Sequence, residues 1–208
     1  PLVEALRSIL TANALPGETD GFDRDSQREA AEFVAEAAAK RAAGTSVILL
    51  QSTGGEAGRR RMRLVAINED MPFLVDSVAA AIAGQGLAVH RLLHPIVPIT
   101  RDAAGKLSQV GEGPPESIIY IEVDRADARG RQELVRELQR VLTDVRTAVT
   151  DWPRMLARMT QDADKLDNRD SEAADLLRWL AANNFTLLGH ADVGKDGRIA
   201  QPLGILKQ

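Results

Sequence analysis

The chain contains no cysteine. That excludes disulfides, thiolate metal sites and cysteine nucleophiles, and it fits a cytoplasmic protein. Aromatic residues are scarce, at 3% of 208 residues. Polysaccharide and single-stranded nucleic-acid binders rely on aromatic stacking platforms, so both classes lose weight. Positive charge does not compensate: the formal net charge is -4, whereas a phosphate backbone calls for a basic surface. No nucleic-acid partner is expected. No apolar run approaches the length of a bilayer span. The opening "PLVEALRSIL" mixes acid and base among its apolar residues and lacks a signal-peptide pattern. No membrane partner is expected either. Nucleotide motifs are missing too: neither Gly-x-Gly-x-x-Gly nor a Walker Gly-Lys-Ser/Thr occurs, and no G-x-S-x-G surrounds Ser77. We therefore expect no catalytic, cofactor-binding or metal-ligating residue here. The chain starts at Pro1 without methionine and stops at "LGILKQ" without a closing element, so a piece of a longer protein is expected.

What is present is an ordinary apolar content of 44%, enough for a core. Residues 1–15 suit a short helix through Leu2, Leu6, Ile9 and Leu10. "PGETDG" reads as a loop. Ser26 and Glu29 have capping-box spacing and open a helix expected to reach Ala43 and stop at Gly44. "SVILLQS" (46–52) and "RMRLVAIN" (61–68) read as strands, the second apolar on both faces and central. A helix follows Pro72, with Leu74, Val75, Val78, Ala79 and Ile82 on one side and Gly84 and Gly86 as its stop. "LAVHRLLHPIVPIT" (87–100) is a long strand. Its second half is an edge or bulged segment, because Pro95 and Pro98 lack donors. "RDAAGKL" is a turn and "GEGPPE" a mobile loop. "SIIYIEVD" (117–124) is a strand with Ile119, Ile121 and Val123 on one face. The following helix carries Leu134, Leu138, Val141 or Leu142, Val145 and Val149 as a stripe. Asp151-Trp152-Pro153 is expected to break or kink it. Residues 154–166 form another helix, and "DNRD" is a linker. Ser171 starts a helix ending at Asn183-Asn184. "FTLLGHADV" is a strand, and "GKDGR" turns it into a hairpin. The order βαββα gives an antiparallel sheet with helices on one face, the α+β ferredoxin-like plan.

Few constellations could carry chemistry. His90 and His94 lie in one strand, about 13 Å apart at roughly 3.3 Å per residue, too far for a shared ion. His190 has no evident partner. Arg59, Arg60, Arg61 and Arg63 cluster at a strand start, as a solvated hairpin or subunit contact. Asp102 and Glu112 to Glu116 read as solvated loop residues. "GQG" at 84–86 ends a helix, whereas a phosphate cradle begins one. The turn "NEDMPFLVDS" stands out. Asp70 is placed to cap the helix, and Pro72 suits its first turn. The free amides there could instead receive a ligand carboxylate.

A strand ending in D-x-P, an amphipathic helix and a "GLAV" strand together resemble the ACT fold. "NEDMPFLVDSV", "GLAVHRLLHPIVPITRDAAGKL", "ESIIYIEVDR", "LQRVLTDVRTAVTDWPRM" and "LLRWLAANNFTLLGHADV" resemble, in order, the N-terminal region of the large-subunit NAD-specific glutamate dehydrogenases of bacteria. The resemblance implies a domain layout: an N-terminal helical segment at 1–45, an ACT-like domain at 46–151, a helical connector at 152–183 and the truncated start of a β unit at 184–208. It implies a parent enzyme that deaminates L-glutamate oxidatively to 2-oxoglutarate, with NAD bound by a core outside this chain. This piece would serve regulation and assembly. Its partners would be further copies, the downstream catalytic domain and an amino-acid effector. The effector or interface turn would comprise Asn68, Asp70, Met71, Pro72, Phe73, Leu74, Asp76 and Ser77. Amino-acid-binding ACT modules usually carry Gly after this proline; here it is Phe73, which either fills the niche or turns inward.

Overall fold

The computed structural model describes residues 2–12, 14, 17–54 and 61–207. The chain divides into two compact units, Pro1–Leu142 and Thr143–Gln208. Arg59 and Arg60 lie outside the described residues.

The first unit is organised by a five-stranded antiparallel sheet. Its strands are β1 (Val47–Ser52), β2 (Arg61–Glu69), β3 (Val89–Leu93), β4 (Ile96–Arg101) and β5 (Leu107–Asp124). They run in the order β1-β2-β5-β3, with β4 also paired to β5. β2 is interior, as its apolar run predicts: Met62, Leu64, Val65, Ala66 and Ile67 are all buried. With α3 (Leu74–Gly84) and α4 (Ala128–Leu166), the succession from β2 to α4 is βαββα, the ferredoxin-like plan. That plan closes with a last strand beside the first. Here β1, which precedes β2 in the chain, holds that edge.

Both sheet faces are covered, one of them by the flanking N-terminal helices. α1 (Leu2–Ala12) and α2 (Arg24–Ala38) pack Leu6, Leu10, Phe33 and Val34 against Val65, Ile67, Ile118 and Tyr120. Strand alternation turns Leu64, Ala66, Ile119, Ile121 and Val123 to the opposite face. They are buried there, as are Leu74, Val78 and Ile82 of α3 and Leu134, Leu138 and Leu142 of α4.

Local chemistry sets the boundaries. Asp23, not Ser26, caps α2: its Oδ1 accepts the Ser26 amide at 2.8 Å. α2 ends at Ala38 rather than Ala43, because the next residues are claimed by the β4–β5 turn. Arg41 N donates to Gly105 O at 2.9 Å, and Leu107 N donates to Ala39 O at 3.0 Å. α3 stops as expected. Gly86, at φ 70°, donates to Ala83 O, and Leu87 N reaches back to Ile82 O, a Schellman closure. The long strand at 87–100 is interrupted at His94-Pro95, yet both halves stay on β5, with Leu93 opposite Tyr120 and Ile96 opposite Ser117. The expected loop at 111–116 is part of β5 instead. Pairing jumps from Ile99–Val110 to Pro98–Pro115, so residues 111–114 form a wide bulge in a continuing strand.

In the second unit, of the break or kink expected at Pro153, the break does not occur; α4 continues to Leu166 with Pro153 inside. Tertiary contacts on both sides of the proline outweigh local propensity. Met155 packs with Leu187 and Leu203. Asp151, 2% exposed, accepts the Gly204 amide at 2.8 Å and Lys207 Nζ at 2.5 Å. α5 (Ser171–Trp179) is capped by Asp170. A π turn at Leu180–Asn184 follows, then the hairpin β6 (Gly189–Val193) and β7 (Ile199–Gly204). The strand begins at Gly189 rather than at Phe185.

Candidate functional site

The turn between β2 and α3 brings Asn68 to Ser77 together at one end of the sheet. Asn68 is buried, and its Oδ1 accepts from Ser46 Oγ at 2.8 Å. Asp70 N donates to Pro115 O at 3.1 Å, tying the turn to β5. Leu74 is buried at the start of α3, whereas Phe73 is 43% exposed. Asp76 lies in the first helical turn, where a carboxylate complements the positive helix end.

Two expectations fail at this corner. Asp70 does not cap α3. The N-cap position is Phe73, at φ 70° and ψ 2°, with no side-chain cap bond. Met71 and a turn at Pro72-Phe73 stand between Asp70 and the helix, so the Asp70 carboxylate sits three residues too early. For the same reason Pro72 precedes the helix rather than occupying its first turn. Phe73 turns outward, and Leu74 takes the inward place.

Beneath the turn lies a polar group that the sequence did not announce. His94 Nε2 is 2.7 Å from Ser117 Oγ, and Ser117 stands opposite Asn68 in the sheet. Burial lowers the His94 pKa, while the Asp70 carboxylate pulls it back up. Serine, histidine and aspartate thus share one neighbourhood. Ser117 is fully buried at 0% exposure, so its hydroxyl has no approach for a substrate and anchors the ring instead. The antiparallel register that joins residues 68, 94 and 117 is invisible in the sequence.

The other histidines are held separately. His90 Nε2 lies 2.7 Å from Asp124 Oδ1, while Asp124 Oδ2 accepts the Ala88 amide at 3.1 Å. The hydrogen bond from His90 lowers the Asp124 pKa. His190 faces Asp162 at 3.6 Å. Among the described residues no group of three His, Cys, Asp or Glu side chains could hold a metal ion. The Gly84–Gly86 stretch does not fit a dinucleotide phosphate. It closes the C-terminal end of α3, which presents carbonyls rather than amides.

Glu116 overturns its reading as a solvated loop residue. It is 2% exposed and accepts from Arg41 Nη2 at 2.9 Å and from Arg101 Nε at 2.7 Å. Arg101 also donates to Ala38 O and Gly105 O. These bonds lock α2's exit and the β4–β5 turn to the end of β5, beside a cavity of about 630 Å³. Asp102 holds that turn through the amides of Ala104 and Lys106. Arg63 is also internal to the fold. It bonds Gln51 at 2.8 Å and lies over the Phe33 ring at 4.9 Å.

Residues 30–138 match the family described as glutamate dehydrogenase, ACT1 domain. The chain is 35% identical to the NAD-specific glutamate dehydrogenase of Halomonas elongata, over 61% of this chain and 9% of that protein. With the protein of the same name from Pseudomonas aeruginosa it shares 30% identity, over 64% of this chain and 10% of the relative. With that of Mycobacterium tuberculosis it shares 28%, over 80% and 12%. The chain therefore spans about a tenth of the length of these relatives. Among the described residues no helix is long and apolar enough to cross a membrane.

Proposed function

The chain belongs to the glutamate dehydrogenase ACT1 domain family, and from that premise we propose that it is a non-catalytic regulatory and assembly module of a cytoplasmic NAD-dependent glutamate dehydrogenase. The full-length protein would oxidise L-glutamate to 2-oxoglutarate and ammonia, with NAD bound by its catalytic core and not by this segment. The observation that carries the reading is the extent of the match. Residues 30–138 take in the greater part of α2, the whole sheet from β1 to β5, α3 and the first part of α4. The matched stretch thus holds the whole main sheet with helices on it, a body suited to contact further copies and the downstream core of its own chain.

Deleting residues 1–142 from the full-length enzyme tests this. The expected result is altered subunit assembly or altered effector response, with glutamate-dependent NAD reduction still measurable. Unchanged assembly and unchanged kinetics would overturn the proposal. So would glutamate-dependent NAD reduction by the present chain alone.

A second reading is an amino-acid effector at the turn of residues 68–77, bound by the first amides of α3. The first amides of a helix have no intrahelical acceptor and favour a carboxylate. Calorimetry with the common amino acids at millimolar concentration decides this reading. Heat that is lost in a Ser77→Trp variant supports it, and no heat with any of them removes it.

A further inference from the structure

The two edges of the main sheet are built differently. The β3–β4 edge carries Pro95 and Pro98, three register shifts and the polar His90 and Arg91. Proline, bulges and charge are the usual means of keeping an edge from pairing with another strand. β1 has none of these. Its Val47-Ile48-Leu49-Leu50 run is uncharged, is half-buried throughout, and pairs with β2 in unbroken register. Among the described strands β2 is its sole neighbour. The outer row of β1 N–H and C=O groups therefore offers a template for one more strand.

Next to that edge lies an open cavity of about 610 Å³ between β1 and the start of α4. Leu50 and Val135 give it an apolar floor, and Arg131, Gln132 and Arg136 line its rim. The neighbouring arginines of α4 have carboxylate partners: Arg129 with Glu133 at 2.8 Å and Arg140 with Glu137 at 2.6 Å. Arg131 and Arg136 differ. Arg131 bonds Ser52 Oγ at 3.3 Å, and Arg136 bonds the Gln132 carbonyl at 3.4 Å. Neither is neutralised by a carboxylate among the described residues. An apolar edge thus runs beside two guanidinium groups that have no carboxylate partner among the described residues.

We infer that β1 is a docking edge for an extended acidic strand of a partner polypeptide. The partner adds antiparallel or parallel to β1 by main-chain hydrogen bonds. On the α4 side alternate side chains of the added strand are carboxylates that meet Arg131 and Arg136, and the intervening apolar ones turn to the opposite face, beside Val47 and Leu49. Charge selects this occupant over a second copy. Pairing β1 with β1 about a two-fold axis would set the arginines of both α4 helices along one seam, where like charges repel. The inference is independent of the proposed parent activity, since binding alone reads it out.

The test uses the whole chain and a capped peptide of alternating glutamate and valine as long as β1. Expected are binding that weakens as salt rises and slowed amide exchange in β1. Affinity should fall about tenfold in the Arg131→Glu, Arg136→Glu double variant and to a lesser degree in Arg136→Glu alone, an exposed position, each with circular dichroism unchanged. N-methylation of alternate peptide residues should abolish binding, because it removes the main-chain donors. Three results would overturn the inference: no binding at millimolar peptide, equal binding of the N-methylated peptide, or equal binding of a lysine–valine peptide. Concentration-dependent dimerisation with protection confined to β1 would also overturn it, by making a second copy the occupant.

Discussion

Arg41 Nη2 and Glu116 Oε1 lie 2.9 Å apart although 75 positions separate them in the chain. Arg101 closes on the same carboxylate through both of its oxygens, at 2.7 and 2.9 Å. A buried carboxylate between two guanidinium groups is costly to dismantle, because removing one partner strands the others without compensation. Glu116→Gln is therefore expected to destabilise the first unit by about 3–5 kcal/mol. Both tryptophans, Trp152 and Trp179, belong to the second unit, so amide exchange in β5 is the suitable measure.

The same carboxylate gives a pH dependence. Burial pushes the Glu116 pKa up, but the hydrogen bonds and charges of Arg101 and Arg41 outweigh it, and the net shift is below the ordinary 4.5. A carboxyl group depressed in the folded state contributes stability that is fully present above its unfolded pKa. That stability is lost as pH falls through the folded value. The first unit should lose stability on acidification from about pH 4.5 downward. Urea titrations at successive pH values should show a shallower acid limb in Glu116→Gln.

This cluster marks where the sequence stops being legible. Periodicity and turn chemistry located β1, β2, α3, the β4–β5 turn and the β6–β7 hairpin. They also placed Ile119, Ile121 and Val123 on one face of β5. They misread Glu116 because "GEGPPE" has loop composition, and only the partner strand makes it a bulged β-strand. They missed the His94–Ser117 contact because it depends on register, a long-range property. Asp70 was misread as a cap for a smaller reason. The positive φ of Phe73 moves the helix start, and local preference assigns that conformation to glycine or asparagine rather than phenylalanine.

Gly105 sits at φ +79°, and a Cβ there would fall 2.4 Å from the Arg41 carbonyl oxygen. The clash is with backbone, so a rotamer change cannot relieve it. Gly105→Ala combines left-handed strain with displacement of the Arg41 segment, and a loss above about 2 kcal/mol is expected. β4 and β5 amides near the turn should exchange faster, while the second unit keeps its own protection.

His94 should give the β2–α3 corner a response nearer neutrality. Burial holds its pKa below 6.5, against the opposing charge of Asp70. Between the folded and ordinary values the unfolded chain binds more protons, so stability rises with pH across that window. The contribution is full above pH 6.5 and declines as pH falls toward the folded value. Proton NMR of the ring should report the depressed titration. Asp70→Asn should depress it further, because the carboxylate is what raises it. An unchanged or raised value in Asp70→Asn would contradict this arrangement.

Phe73 supplies the most informative single substitution. Its backbone is left-handed at φ 70°, a conformation costing a non-glycine residue roughly 1–2 kcal/mol. With Phe73 43% exposed, truncation gives up burial that glycine and valine both lose. Glycine adds unfolded-state entropy of up to about 1 kcal/mol but escapes the left-handed cost, so those two effects nearly offset. Phe73→Gly is therefore expected to destabilise α3 by less than Phe73→Val does. Phe73→Val, β-branched and intolerant of this φ, should lose about 1–2 kcal/mol. Exchange of the α3 amides measures both. If glycine proved markedly worse than valine, the ring itself, and not the backbone, would be what holds the corner.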